Sequence, residues 1–223
     1  MRDTHKIMRI YTSEDLDIDV VKVGPLRNNV GIVDFKKANV SAIIDAPMGL
    51  SESEYVTDKN ITHVLLTHEH WDHIWDSVYF QDRGAIVFGH FSAQQVLHNP
   101  DIYPDDVISR KLPSCPEIAT IQHKDQLNLF GVNIEVIGLE GHAPGDLGFY
   151  FSNEKICFVG DTLFAKTVGR SDFPGGDKRL LFKNIRERLY SLPDDVQIVP
   201  GHGYLTTVGG EKTQNPFVRP LVI

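Results

Sequence analysis

Short apolar runs rich in β-branched residues recur through the first third of the chain, separated by glycine, proline and asparagine. Such runs predict strands, here at residues 7–11, 30–34, 41–45 and 62–66. After Asp72 the apolar positions change to helical spacing. The elements predicted from there are a helix over 74–81, a buried strand over 85–88 and a helix over 92–97 that begins with Ser92 as its cap. The first half is expected to build a sheet and then to alternate helix with strand.

The second half shows the same order of strands followed by a helix. Its predicted strands lie at residues 126–129, 132–139, 148–151, 156–160 and 196–199. The clearest helix of the chain is predicted from 178 to 192, with Asp177 at its N-cap position and Pro193 just beyond its end. Its apolar residues have helical spacing, at Leu180, Leu181, Ile185 and Leu189.

Between the two halves, residues 99–119 carry four prolines and little periodicity, as a long surface connection would. We place the internal boundary there. With 223 residues the chain is long enough for one large domain or two small ones. We expect a single α/β domain over 1–223, in which two pseudo-symmetric halves form a sheet-on-sheet sandwich with helices outside both sheets.

Composition narrows the class of protein further. Apolar residues make up 41% of the chain and charged residues 23%, as in an ordinary globular protein. The formal net charge of −8 offers no basic surface to neutralise phosphates, so no nucleic-acid partner is expected. No apolar run approaches the roughly 18 residues that cross a bilayer, and Cys115 and Cys157 lie far apart in sequence. These features predict a cytoplasmic protein without a membrane partner, and they leave the oligomeric state open.

The chain's 10 histidines indicate where the chemistry lies. Four metal-ligand side chains follow the predicted strand 62–66 within six residues, namely His68, His70, Asp72 and His73. Because they follow a strand, they are expected at a sheet edge, with His68 and His70 on one side. Three imidazoles and one carboxylate suit Zn²⁺ or a similar transition metal better than Ca²⁺ or Mg²⁺. The alternative is a polar surface turn.

Three later segments each place one ligand-type side chain beside glycine at the end of a predicted strand. These side chains are His142, Asp161 and His202. Glycine lets the backbone approach a metal closely. Each segment alone is also typical of an ordinary turn, but together with the first motif they predict one larger metal site.

The order of these motifs, Thr-His-x-His-x-Asp-His, Gly-His, Gly-Asp-Thr-Leu and Pro-Gly-His-Gly, resembles the metallo-β-lactamase fold superfamily, specifically its glyoxalase II-like hydrolases. The resemblance covers nearly the whole chain and implies a four-layer αβ/βα sandwich with a two-metal site. It implies that the first metal is held by His68, His70 and His142, the second by Asp72, His73 and His202, and that Asp161 bridges them. The implied metals are two divalent ions, best matched by zinc, with iron or manganese as alternatives.

The resemblance also restricts the activity. Asp161 differs from the residue of true metallo-β-lactamases, and the chain is too short for the extra domains of nucleic-acid-processing members, so antibiotic hydrolysis and nuclease activity are not expected. The segment 168–176 resembles both short bacterial glyoxalase II-like proteins and persulfide dioxygenases. We interpret Arg170 and Lys166 as substrate-binding residues, with a solvated loop, or an Arg170 paired with Asp172, as the alternative. Asp45, at a strand end, is either a partner of the metal ligands or a turn residue.

The sequence has neither a Gly-x-Ser-x-Gly nucleophile motif nor a phosphate loop, so metals would have to supply the nucleophile. Two close divalent ions lower the pKa of a bridging water from 15.7 to about 7. In this scheme Asp72 and Asp161 are the catalytic carboxylates, because they hold and orient the metal-bridging hydroxide. A thiolate, with a pKa near 8.5, leaves without a strong general acid.

The predicted activity is therefore hydrolysis of a small-molecule thioester such as S-lactoylglutathione. Because the chain ends soon after His202, we expect few contacts to the thiol part, modest activity and a broad range of acyl thioesters. Residues 211–217 are interpreted either as substrate contacts or as a docked terminus. Two other functions remain open: an iron-dependent persulfide dioxygenase using His68, His142 and Asp161, and a non-catalytic metal-binding protein.

Overall fold

The structure of the protein is a computed structural model that describes residues 7–102, 111–115 and 117–220. Contacts divide the chain into two compact units, Met1–Thr120 and Ile121–Ile223. The single domain over 1–223 stays a prediction, and part of the predicted connection, residues 103–110 and Pro116, lies outside the described residues.

The first unit contains a seven-stranded sheet in sequence order. Its strands are β1 (Met8–Thr12), β2 (Leu16–Val23), β3 (Asn28–Phe35), β4 (Val40–Ile44), β5 (Ile61–Leu65), β6 (Ile86–Gly89) and β7 (Ala119–Thr120). Strands β1 to β4 pair antiparallel, whereas β4 to β7 pair parallel. The carboxyl ends of β4, β5 and β6 therefore meet at one edge, which is where open sheets of this kind place their ligands.

Helices of the first unit lie between or after the parallel strands. They are α1 (Trp71–Ile74), α2 (Ser77–Gln81) and α3 (Phe91–His98), with a 3₁₀ turn at Pro100–Ile102. A buried apolar cluster joins residues of β3 to β6 with residues of all three helices, among them Ile43, Val64, Ile74, Phe80 and Leu97. Burial of these side chains stabilises the sheet edge on which the histidine motif lies.

Two details of the first unit correct the sequence predictions. The helix predicted over 74–81 is instead two short helices, because Ala46 N donates to His73 O and Asp76 N donates to Ala46 O, which takes these backbone groups out of a continuous helix. The cap of α3 is His90 and not Ser92, since His90 Nδ1 accepts a hydrogen bond from Ser92 N.

The second unit contains a six-stranded sheet in the order β15-β14-β11-β10-β9-β8 and a separate two-stranded hairpin. The sheet strands are β8 (Gln126–Leu129), β9 (Val132–Gly138), β10 (Leu147–Phe151), β11 (Ile156–Gly160), β14 (Gln197–Pro200) and β15 (Thr206–Thr207), and the hairpin strands are β12 (Leu163–Phe164) and β13 (Thr167–Val168). Strands β11 and β14 pair parallel, so their carboxyl ends are neighbours.

The predicted helix 178–192 begins as expected, because the Asp177 carboxylate accepts hydrogen bonds from Arg179 N and Leu180 N. It is regular only as α4 (Lys178–Asn184) and continues as a π-helical segment, Ile185–Leu189, in which Tyr190 N donates to Ile185 O. A further helix, α5 (Val208–Gln214), follows β15 and was not predicted. Helices α4 and α5 contribute Leu181 and Val208 to a buried cluster with the sheet residues Val159 and Ile198. Across the described residues, no helix has the length and apolar character needed to cross a membrane.

Candidate metal centre

The seven predicted metal ligands divide between the two units, four in the first and three in the second. In the first unit, β5 ends at Leu65 and α1 begins at Trp71, so the loop between them carries His68 and His70, while Asp72 and His73 lie in the short helix. The parallel pairing of β4 with β5 continues past the strand ends, as Asp45 N donates to Leu65 O. This places Asp45 beside the histidine loop.

The ligand atoms of the first unit lie close together, and all four side chains except the partly buried His70 are buried. His68 Nε2 is 3.1 Å from His70 Nδ1, and Asp72 Oδ2 is 3.3 Å from His73 Nε2. The rings of His68 and His73 have centroids 4.1 Å apart, and both side chains are almost completely buried. Clustered imidazole nitrogens with a carboxylate are the donor set that zinc and similar metals prefer, so the residues present fit the implied group.

Asp45 organises this loop. Its Oδ1 accepts a hydrogen bond from Thr67 N (2.8 Å), and its Oδ2 contacts both Thr67 Oγ1 (2.8 Å) and His73 Nδ1 (2.7 Å). A carboxylate at Nδ1 favours the tautomer of His73 that carries its proton there, which leaves Nε2 as a metal-ligand atom. Thr67 Oγ1 lies 3.1 Å from His68 Nδ1 and orients that ring in the same way. Of the two interpretations of Asp45, the structure supports a partner of the ligands, although the residue also turns the chain with a φ of 63°.

Asn28, which the sequence analysis missed, holds the other side of this cluster. Its Nδ2 donates to Asp72 Oδ2 at 3.0 Å and lies 3.2 Å from His73 Nε2, and the side chain is fully buried. The only signal in the sequence is a polar Asn-Asn pair at the start of a mainly apolar strand, which does not reveal a partner 44 residues away.

In the second unit, His142, Asp161 and His202 come from three separate segments that the fold brings together. Asp161 directly follows β11, and His202 follows β14, whose end is tied to β11 by a hydrogen bond from Gly201 N to Gly160 O. Asp161 Oδ2 lies 3.8 Å from His142 Nε2 and 3.6 Å from His202 Nε2. These distances exceed a direct hydrogen bond and approach the separation of about 3.4 Å expected for two atoms that share one zinc ion at about 2.1 Å. The Asp161 carboxylate and each of the two imidazoles are therefore spaced as two ligands of one metal ion would be.

His142 is fixed through the protein backbone. Its Nδ1 donates to the carbonyl of Arg170 at 2.7 Å, and because a carbonyl only accepts, Nδ1 carries the proton and Nε2 is left as the ligand atom. Asp146 Oδ2 accepts hydrogen bonds from His142 N and Ala143 N, which holds the loop between β9 and β10. The ring of Phe173 meets the His142 ring edge-on at 6.0 Å.

Arg170, predicted to bind substrate, lies next to these ligands by its backbone, while its exposed side chain contacts its own loop. The guanidinium makes two hydrogen bonds of 2.9 Å to the Asp172 carboxylate and stacks 4.2 Å above the Phe173 ring. The hydrogen bonds raise the pKa of Arg170 and lower the pKa of Asp172. Of the alternatives for Arg170, the pairing with Asp172 is the one that the structure contains.

Lys166, the other predicted substrate contact, lies at the exposed turn of the β12–β13 hairpin with a φ of 63°. Its backbone N donates to the buried carboxylate of Glu211 at 2.9 Å. Glu211 and Asn215 belong to the segment 211–217, and both are buried, so these two residues dock the segment rather than face a substrate.

Comparisons with known proteins identify the family of this chain. The family model described as "Metallo-beta-lactamase superfamily" matches residues 23–202 of this chain. The chain is 34% identical to the hydroxyacylglutathione hydrolase GloC of Haemophilus influenzae over 213 residues, which cover 92% of this chain and 99% of that protein.

Two solved structures share the fold. The BLEG-1 B3 metallo-β-lactamase has a TM-score of 0.82 at 28% identity, covering 90% of this chain and 99% of that one. The protein TTHA1623, solved in a di-iron-bound form, has a TM-score of 0.76 at 31% identity, covering 89% and 99%. The α/β fold class inferred from the motifs is thereby confirmed. The chain belongs to the metallo-β-lactamase superfamily and is a metallo-hydrolase of that superfamily.

Proposed function

We propose that this metallo-hydrolase cleaves a small-molecule thioester of the hydroxyacylglutathione kind, such as S-lactoylglutathione. The observation that carries the proposal is the 34% identity to a hydroxyacylglutathione hydrolase along nearly the full length of both chains. The donor set described above supports it, because a site of imidazoles and carboxylates without a serine nucleophile suits a substrate whose thiolate leaves easily.

The proposed metal ligands are the seven residues of the sequence analysis. His68, His70 and His142 would hold one ion, Asp72, His73 and His202 would hold the other, and Asp161 would serve both. Zinc is the first choice, with iron or manganese as alternatives, since such nitrogen and oxygen sites accept each of them according to supply. The histidine tautomers support the proposal, because His73 and His142 each present Nε2 as the ligand atom.

Two divalent ions bound by these residues would activate water and polarise the thioester carbonyl. Other residues of the chain hold the proposed metal ligands in position. Asp45 and Asn28 keep His73 and Asp72 in one orientation from opposite sides. The Arg170 carbonyl does the same for His142. A fixed ligand geometry keeps the reacting groups aligned and lowers the reorganisation needed during the reaction.

Substrate recognition is proposed to use Arg170, with Lys166 nearby in the sequence. Glutathione thioesters carry carboxylates, and a guanidinium binds a carboxylate through two parallel hydrogen bonds. In this chain Asp172 already occupies that geometry, so an incoming carboxylate has to displace it. This competition supports the expectation of modest activity and broad acceptance of thioesters.

The proposal also covers the binding partners and the cellular compartment. The formal net charge of −8 disfavours nucleic acid as a partner, and Cys115 and Cys157 are both free and buried, which suits a reducing cytoplasm.

The metal content is tested by elemental analysis. Protein stripped with a chelator and reconstituted with excess zinc is expected to hold two ions per chain. The variant His98→Ala, which removes an exposed histidine outside the site, serves as the matched control and keeps two ions. One ion or none in the wild-type protein contradicts the proposed centre.

The reaction is tested on three substrates. S-Lactoylglutathione and a cephalosporin are given to the zinc-loaded protein, and glutathione persulfide is given to protein reconstituted with iron, because zinc has no redox chemistry. S-Lactoylglutathione should be hydrolysed, whereas oxygen uptake with glutathione persulfide and opening of a cephalosporin should stay at background. Oxygen consumption that exceeds thioester hydrolysis identifies a persulfide dioxygenase instead. The cephalosporin arm is included because of the likeness to a B3 metallo-β-lactamase. A protein that holds two ions and turns over none of the three is a non-catalytic metal-binding protein.

A further inference from the structure

The β12–β13 hairpin occupies the stretch of chain between Asp161 and Arg170 and has little to hold it by itself. Each strand has two residues, and the hairpin is separate from the six-stranded sheet. A two-stranded hairpin alone is marginally stable in water. Its turn also places Lys166 at a φ of 63°, a left-handed conformation that is unfavourable for a side chain other than glycine. Contacts from elsewhere in the second unit must fix its position.

Those contacts come from the end of the chain. Glu211 Oε2 accepts a hydrogen bond from Lys166 N (2.9 Å) at the strained turn, and Asn215 Nδ2 donates to the neighbouring Thr167 carbonyl (3.0 Å). Asn215 Nδ2 also donates to Glu211 Oε2 at 2.8 Å, and Thr206 Oγ1 donates to Glu211 Oε1 at 2.6 Å. The cluster thus binds two consecutive residues of the hairpin.

Burial increases the free-energy cost of losing these hydrogen bonds. The Glu211 side chain is 2% exposed and Asn215 is fully buried, and losing a partner inside the protein leaves a polar group without water to replace it. Asn215 is itself fixed, because its Oδ1 accepts hydrogen bonds from Phe217 N and Val218 N. Glu211 in α5 and Asn215 directly after it therefore support the hairpin, although they lie 45 to 48 positions away from their partners in sequence.

We propose that Glu211 and Asn215 are positioning residues that hold the β12–β13 hairpin, and with it Lys166 and Arg170, in the arrangement that binds substrate. This inference rests on the proposed function for its link to substrate, since Lys166 and Arg170 are the proposed recognition residues. It assigns residues 211–217 a role in binding without direct contact to the substrate. Loss of the support should weaken substrate binding and leave the metal ligands loaded.

The test compares Glu211→Met with Glu211→Gln. Methionine has a similar length but removes every acceptor, whereas the glutamine amide oxygen can still accept from Lys166 N while its NH₂ faces Thr206 Oγ1. In Glu211→Met the Lys166 amide should exchange its hydrogen at least about tenfold faster than in the wild-type protein. KM for the thioester should rise about five- to tenfold with kcat within about twofold and two ions still bound. Glu211→Gln should restore both values, and Thr213→Ala, at an exposed position of the same helix, is the matched control.

Each outcome decides the inference. Unchanged Lys166 exchange in Glu211→Met overturns it, and so does a fall in kcat with loss of metal at unchanged KM, which shows a merely structural role. If Glu211→Met does not fold, exchange in the wild-type protein decides, because a Lys166 amide as fast as an unstructured one contradicts the support. A wild-type protein without thioester turnover refutes the proposed function alone, since the exchange measurement needs no substrate.

Discussion

The two units hold their predicted ligands by different means. In the first, four ligands lie within six residues on one loop and the short helix that follows it, and the side chains of Asp45 and Asn28 fix them. In the second, three ligands lie on separate segments and depend on the course of the backbone, through the Arg170 carbonyl and the hydrogen bond between Gly201 and Gly160. Side-chain substitutions around the ligands should therefore disturb the first set most, whereas the second set should respond most to changes that move the chain.

The largest effect is expected when the residue proposed to contact both ions is altered. Asp161→Asn keeps the size of the side chain but removes the charge of the group between His142 and His202. At full metal loading kcat/KM should fall at least about a thousandfold, more than the 10- to 100-fold typical of residues that only orient ligands. His98→Ala gives the baseline. Near wild-type turnover by Asp161→Asn with two ions bound means that the bridge is misassigned.

Two Asp→Asn variants, one in each unit, compare how strongly metal binding depends on a neighbouring carboxylate. Asp45 serves three donors with two oxygens, so an amide leaves at least one of Thr67 and His73 without an acceptor. Asparagine tolerates the positive φ at this position, so the backbone should not change. Metal affinity, measured by competition with a chelator, should fall about 10- to 100-fold.

Asp146→Asn in the second unit should be much milder. Both backbone donors, His142 N and Ala143 N, bind the same oxygen of Asp146, and an amide oxygen can accept both. Metal affinity should change by no more than about twofold. Equal losses in Asp45→Asn and Asp146→Asn argue against the distinction between the two units.

Local patterns in the sequence predicted some elements well, but they did not predict contacts between distant residues. Strand β11, an uninterrupted apolar run, and strand β8, in which polar and apolar residues alternate, have the bounds predicted for them. Strand β2 was missed because Asp17 and Asp19 interrupt its apolar pattern, and their partners Arg9 and Lys36 are recognisable only once the strands are paired. Local patterning predicts elements, but it does not predict which distant charges neutralise one another.

Within the candidate site, local spacing alone indicated the ligands of the first unit, since four of them lie together in the sequence. Those of the second unit required the order of several motifs, because each alone resembles an ordinary turn. Asn28 was missed, and the segment that contains Glu211 was left with two interpretations, for one physical reason. Asn28 contacts Asp72 and Glu211 contacts Lys166, each more than 40 positions away, so the role of these buried polar residues depends on the folded chain.

A substitution that moves the backbone of the second unit tests whether the ligands of that unit depend on the course of the backbone. A Cβ added at Gly169 would lie 1.8 Å from the Asp161 carbonyl oxygen, so Gly169→Ala must displace the chain next to a ligand. We expect the free energy of unfolding to fall by about 2 kcal/mol or more and kcat/KM to fall about tenfold. Gly210→Ala, whose added Cβ approaches only side-chain oxygens, at 3.0 Å or more, is the control. Gly169→Ala with wild-type melting and kinetics excludes a tightly constrained backbone there.

A small effect is expected at Arg170, whose exposed side chain is fixed neither by Asp45 and Asn28 nor by a backbone contact. Asp172→Asn removes the charge that competes for the guanidinium, so KM for a thioester that carries carboxylates should fall about two- to fivefold, as expected for an exposed ion pair. The pKa of Asp172 lies below its ordinary value and that of Arg170 above it, because each stabilises the other's charge. Both groups therefore stay charged at neutral pH, and the ion pair is lost only as the pH falls through the pKa of Asp172. The KM ratio of variant to wild type should accordingly be constant from about pH 6 to 8. A thioester without carboxylates should show no difference between the two proteins, and an equal gain with that substrate means that Arg170 does not bind the carboxylate.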